Sequence, residues 1–397
     1  MTLKLCVFPN DPIISYYNKG EIKPRYFNPK NFFDEIHIIS FIENDIDASK
    51  AQPLVGNATL EIHSLGGLDT FNLKKKKDDV LKLVTKINPD VIRVYNSRLE
   101  GWVAAYCSQK LHKPFFVSIH AQYDGYRKLM KSKDFKKFLI LKYSRKIIEP
   151  YVLKNADKIT AVYKVIEPYV LDLANKKPEI LYNKVDLQRF TPKEEKIKNT
   201  KPIILSISRL SPQKNHDIII KSVKDIDVHL QIIGDGPLRN ELENLVEKLN
   251  IQHKVTFIKS IPNNEIHNYY QSADIFALAH DPKIEGVPIP VLEALASGMP
   301  IVIPKPEEGL SDGLENCVAF ADLEPKSFTE QFIRILTDSE KKDELCRNAL
   351  IKSESFDEIK IENREKEIYQ ELVGKLFGSF IHFHFDVATK KLSLIHI

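Results

Sequence analysis

The chain has 397 residues, with 58 Lys plus Arg against 54 Asp plus Glu and a formal net charge of +4; that length admits two domains with a core each, and so balanced a charge demands no nucleic-acid partner. Cys6, Cys107, Cys317 and Cys346 are scattered, without the close pairs of a zinc site or redox motif, so they read as reduced buried thiols and favour a cytoplasmic setting. The opening apolar run is too short for a signal peptide and no later stretch reaches membrane-spanning length without charges, so any membrane contact is expected to be peripheral, on the inner face.

In chain order, short β-rich runs at 3–8, 35–41, 91–95, 115–119 and 158–162 alternate with amphipathic segments. That rhythm predicts an α/β domain over 1–190 built on a parallel, doubly wound sheet. The Lys74–Lys77 run begins a helix pattern and reads as its exposed face. From Arg127 to Lys154 basic residues outnumber Asp134 and Glu149, with aromatic and aliphatic residues interleaved. Such a segment is either a face for an anionic membrane surface or a solvated basic face beside an ordinary core stripe. The polar, charged stretch 191–202 reads as an interdomain linker.

The β rhythm restarts at 203–207, 228–233, 255–258, 274–278 and 300–303, giving a second Rossmann-like domain over 203–354. The segment 355–377 is expected to be a terminal helix packing back on the first domain. The tail 378–397 is atypical: its last residues, Lys391-Leu-Ser-Leu-Ile-His-Ile397, resemble translated sequencing-adapter read-through. His382 and His384 there, and the pairs Asp45/Asp47 and Asp225/Asp227, have the residue types of metal ligands but read as tail, turn or solvated connection, so no metal site is expected.

Four segments carry candidate chemistry. In Glu285-Gly-Val-Pro-Ile-Pro-Val-Leu-Glu293 a polar loop feeds a short helix that Gly298 ends and Pro300 seals. Two carboxylates there suit sugar and ribose hydroxyls, and the helix start offers free N–H groups to an anion; taken alone, both glutamates also suit a solvated loop and helix. Arg209 and Lys214 follow the first strand of the second domain, where a guanidinium and an ammonium could stabilise a departing diphosphate or simply form an exposed basic loop. Gly234-Asp235-Gly236-Pro237 is a strand, glycine turn and helix start that permits close backbone approach, but Arg239 stands where a dinucleotide fingerprint needs its last glycine. His120 ends the 115–119 strand, poised either for substrate hydroxyls or for backbone partners.

In their order and spacing, Ser208-Arg-Leu with Lys214-Asn215, Gly234 to Pro237, Ala273-Asp274 and the Glu285-x7-Glu293 pair resemble the retaining glycosyltransferases of family 4, over residues 1 to about 377. The resemblance implies the GT-B architecture, two Rossmann-like domains with parallel sheets facing across a cleft. It implies that Arg209 and Lys214 contact the diphosphate of a nucleotide-sugar donor, Glu293 the ribose and Glu285 the transferred sugar. Gly286, Val287 and Pro288 would lie beside that sugar, Gly234 to Pro237 near the base, and His120 near the sugar from the first domain. It further implies a hexosyl transfer to a glycan or lipid-linked acceptor that retains configuration and needs neither metal nor cofactor. A nucleotide-sugar epimerase or hydrolase, and a non-catalytic nucleotide-sugar-binding protein, share these features. Three departures stand out: the loop 9–21 lacks the family's glycine pair, Asn183-Lys-Val-Asp186 replaces Asn-Gly-Val-Asp, and Val287-Pro288 replaces Phe-Gly.

Overall fold

A computed structural model of the chain describes residues 2–192 and 200–374. The tail with His382 and His384, and most of the 191–202 linker, lie outside the described residues. The first sheet comprises β1 (Lys4–Phe8), β2 (Glu35–Ser40), β3 (Thr59–Ser64), β4 (Val91–Val94), β5 (Phe115–Ile119), β6 (Lys158–Ala161) and β7 (Glu179–Ile180), in the order β3-β2-β1-β4-β5-β6-β7. The second comprises β8 (Ile203–Ile207), β9 (His229–Ile233), β10 (Val255–Ile258), β11 (Ile275–Ala277), β12 (Ile301–Pro304) and β13 (Ala319–Ala321), in the order β10-β9-β8-β11-β12-β13. Every pairing is parallel. Strand order reverses at β1/β4 and at β8/β11, so the loops leaving those strands open at the switch points where α/β sheets bind ligands.

Three strands are absent from the sequence reading, each for a physical reason. β3 is the edge of its sheet and only partly covered, so Glu61 and His63 interrupt its apolar pattern. β7 and β13 have two and three residues, below the length at which a period of two is visible. Most of the strands that were legible are buried on both faces, such as β4, β5 and β12.

Helices cover both faces of each sheet. A helix over 358–374 follows the turn Glu354–Phe356 and sets Ile368, Tyr369, Leu372 and Val373 among Leu5, Val7, Phe33 and Phe116 of the first sheet's core. The basic segment forms two helices, Tyr123–Lys133 and Phe135–Lys154, broken at Asp134, whose carboxylate caps the second by accepting from the Lys137 N–H at 3.0 Å. Among the described residues no helix is long and apolar enough to cross a membrane.

Candidate functional site

A cleft of about 960 Å³ runs between the two sheets and is lined from both. Its second-domain wall begins where β8 ends. The loop after Ile207 folds back on the glycine turn after β9: the Ser208 N–H donates to the Ile233 carbonyl (3.1 Å), the Leu210 N–H to Asp235 (2.9 Å) and the Leu238 N–H to Leu210 (3.1 Å). Gly234 sits at φ +146°, and a Cβ there would meet the Ser208 carbonyl oxygen at 2.0 Å; one on Gly236 would meet that of Leu210 at 2.4 Å. Side chains are thus barred from this turn by the Arg209 loop lying on it, and Gly234 to Pro237 stand behind that loop, outside the cleft lining.

The two cations of the loop differ. Arg209 is exposed on the cleft, and its guanidinium has no hydrogen bond or ion pair among the described residues. Lys214 is only 9 % exposed and its ammonium is bonded to the Glu285 carboxylate. Asn215, at φ +45°, holds the loop in place by donating from Nδ2 to the Ala279 carbonyl at 2.9 Å, and the Asp281 N–H donates to the Gln213 carbonyl at 2.8 Å.

The loop carrying Glu285 is pinned from behind. His280, buried behind it, is held down to about 4, first by burial and then by the nearby Lys214 charge. The ring is therefore neutral at physiological pH, and its contact with the Gly286 carbonyl at 3.1 Å requires the proton on Nε2. Gly286 itself is packed between the two domains, since a Cβ would stand 2.5 Å from Tyr163 Cβ of the first and 2.6 Å from Asp312 Oδ2 of the second. Val287 points into the core of the second domain, while Pro288 lines the cleft and precedes the helix Ile289–Ala296. Gly298, at φ +62°, follows the helix end.

On that helix Glu293 faces the cleft and accepts from the Tyr270 hydroxyl at 2.7 Å. Burial raises its carboxyl above the ordinary range, and the Tyr270 bond, with Lys23 and Arg189 farther off, pulls the other way. Across the cleft His120 directly follows β5 and lies against the Tyr95 ring, centroids 5.4 Å apart. Burial and the Arg93 charge hold it down to about 4, so it too is neutral.

The cleft thus gathers Arg209, Lys214, Glu285, Pro288, Glu293 and His120, and leaves Gly234 to Pro237 and the Val287 side chain in supporting positions. Sequence reasoning missed several lining residues. Arg98 follows β4 with its guanidinium over the Tyr123 ring at 4.6 Å; its place just past a strand end was the available signal. Lys184, standing where the family has glycine, lines the cleft but is bound to Glu362 at 2.6 Å, which ties it to the terminal helix. The loop after β1 contributes Tyr16, Lys19, Glu21 and Lys23 to the other wall.

Residues 188–351 match the family described as glycosyl transferases group 1. The chain is 28% identical over 195 residues to an N-acetylgalactosamine-N,N'-diacetylbacillosaminyl-diphospho-undecaprenol 4-alpha-N-acetylgalactosaminyltransferase of Campylobacter jejuni, covering 48% of this chain and 52% of the relative. It is 25% identical over 240 residues to an alpha-monoglucosyldiacylglycerol synthase of Streptococcus pneumoniae, covering 56% and 53%. The chain thus spans about half the length of these curated relatives. Among solved structures it resembles Anabaena HepE in complex with UDP, with a TM-score of 0.72 at 16% identity over 93% of this chain and 100% of that one. The likeness to solved structures thus extends over the whole two-domain fold, and the family match covers residues 188–351, which include the second-domain wall of the cleft.

Proposed function

We propose that this protein transfers a hexosyl group from a nucleotide-sugar to a glycan or lipid-linked acceptor with retention of configuration, as the family 4 enzymes do. The observation that carries the reading is the convergence of Arg209, Lys214, Glu285 and Glu293 from one domain and His120 from the other on a single cleft. Arg209, exposed and unpaired, meets the diphosphate first. Lys214 stands behind it, where a partly dry ammonium stabilises charge developing on the leaving phosphate without a metal. Glu285 holds the sugar's hydroxyls and Glu293 the ribose. A leaving phosphate on the same face as the acceptor takes the acceptor proton, so none of these groups is asked to be a general base. The UDP seen in HepE makes a uridine donor the first to test.

The acceptor side is supported by the helix Phe135–Lys154, which leaves Phe135, Leu139, Ile140, Tyr143 and Ile147 exposed between lysines, Phe135 and Ile140 at 60 % and 62 %. Apolar groups amid cations suit an anionic bilayer that presents a lipid-linked acceptor, the acceptor type named for the Campylobacter relative.

A thermal-shift screen against UDP-, GDP- and ADP-sugars tests the reading: one donor class raises the melting temperature of the wild type and fails to raise that of Glu293→Ala. The same protein sediments with anionic vesicles in a salt-sensitive way and not with neutral ones. No stabilising donor removes the transferase reading; no vesicle binding removes the membrane.

A further inference from the structure

A second cluster of chemistry lies away from the cleft, at the free edge of the first sheet. β2 and β3 run parallel in a register that pairs His37 with Glu61 and Ile39 with His63. Because side chains alternate along a strand, Glu61 and His63 share a face, and the register puts His37 of the neighbouring strand on that same face. His37 Nδ1 and His63 Nε2 are 3.1 Å apart, and Glu61 Oε2 is 3.6 Å from the first and 3.7 Å from the second. A point equidistant from these three atoms is about 2.0 Å from each, the length of a Zn–N or Zn–O bond.

We propose that His37, Glu61 and His63 form a binding site for a late first-row divalent cation such as Zn²⁺. The donor set of two imidazoles and one carboxylate is that of zinc, copper and nickel sites rather than of magnesium or calcium. The ring planes stand 16° apart with centroids 5.4 Å apart, so the two nitrogens now face each other, and the cation enters by turning both toward Glu61. His37 is buried, and its other nitrogen, Nε2, has no hydrogen-bond partner among the described residues, with Glu35 Oε2 3.7 Å away. Glu35 is therefore placed to orient the ring as carboxylates do behind metal-bound histidines. Glu61 is largely exposed, which leaves an entry path and a fourth position for water. A cation here ties edge strand β3 to β2. The site takes no part in sugar transfer and does not depend on the proposed activity.

The test uses the full chain, stripped with chelator and titrated with Zn²⁺ and with Co²⁺ as the absorbing probe. The wild type takes up one equivalent with a saturable visible Co²⁺ band, and Zn²⁺ raises its melting temperature. Glu61→Gln and His63→Gln, at exposed and half-buried positions where folding is retained, lose the band and bind Zn²⁺ at least about tenfold more weakly, the low end of what even an outer-shell partner contributes. The tail histidines His382, His384 and His396 are kept in all three proteins. No saturable band in the wild type, or the same band in both variants, overturns the site.

Discussion

Two ion pairs of similar chemistry occupy opposite halves of the molecule and do different things. In the first domain Arg93 on β4 is 3 % exposed and held at both terminal nitrogens: Nη1 donates to Glu365 and to the Tyr369 hydroxyl (2.5 Å) of the terminal helix and Nη2 to the Ser118 hydroxyl (3.0 Å), with the Tyr95 and Phe116 rings each 4.4 Å from its guanidinium, while Nε has no hydrogen-bond partner among the described residues. In the second domain Lys214 has one partner among the described residues, Glu285, and both open onto the cleft. A cation gripped by several partners in a dry setting is a fastener. A cation with one partner and a route to solvent is able to trade that partner for a phosphate. The number of partners and the access to solvent, more than the presence of a salt bridge, separate the two roles.

The largest effect comes from breaking the fastener. Arg93→Ala leaves Glu365 buried without its partner, and unpairing a buried charge destabilises by about 3–5 kcal/mol. Urea unfolding of this variant is expected to show that loss, while donor affinity of the folded fraction stays within about threefold of wild type. A loss under about 1 kcal/mol would mean that the terminal helix is held by its apolar contacts alone.

The cleft pair is expected to behave in the opposite way. Lys214→Ala, and separately Glu285→Ala, lowers sugar transfer or donor hydrolysis by about a hundredfold, as removal of one positioned electrostatic contact does. Stability falls less than in Arg93→Ala, because the group left unpaired opens onto the cleft and is reached there by water. Wild-type-like rates in these folded variants would sink both the site assignment and the contrast with Arg93.

The contrast was only half legible in the sequence. β8 was readable to the residue, because its apolar run is bounded by Pro202 and the polar Ser208-Arg209, and the helix holding Glu293 was marked by the Pro and Gly at its ends. The glycines at 234 and 236 were visible as a tight approach, but what approaches is the Arg209 loop, a fact set by tertiary packing. The Lys214–Glu285 bond joins residues far apart in sequence and needed the β8/β11 switch to bring them together. Arg93 sat unremarked inside an apolar strand, and its partner Glu365 looked like one more charge on an amphipathic helix. The Glu61/His63 pair was hidden for a related reason, since His37 joins it only through strand register.

The smallest effect concerns the histidines that each cation presses on. His120 lies near Arg93, and His216 and His280 lie near Lys214; burial first, and these charges second, hold all three down to about 4 from an ordinary 6.5. Below pH 6.5 the unfolded chain takes up protons that the folded chain refuses. The stability these neutral rings contribute is therefore complete above pH 6.5 and is lost as pH falls from 6.5 toward 4, each ring adding at most about 1.4 kcal/mol per pH unit. His280→Gln removes one titrating ring and keeps an amide to donate to the Gly286 carbonyl. Urea midpoints measured at pH 7, 6 and 5 should fall less steeply in this variant than in the wild type, with the two proteins close at pH 7. Parallel pH profiles would show that His280 takes up its proton over the same range in the folded and unfolded chains, and that the loop beneath Glu285 does not depend on a neutral imidazole.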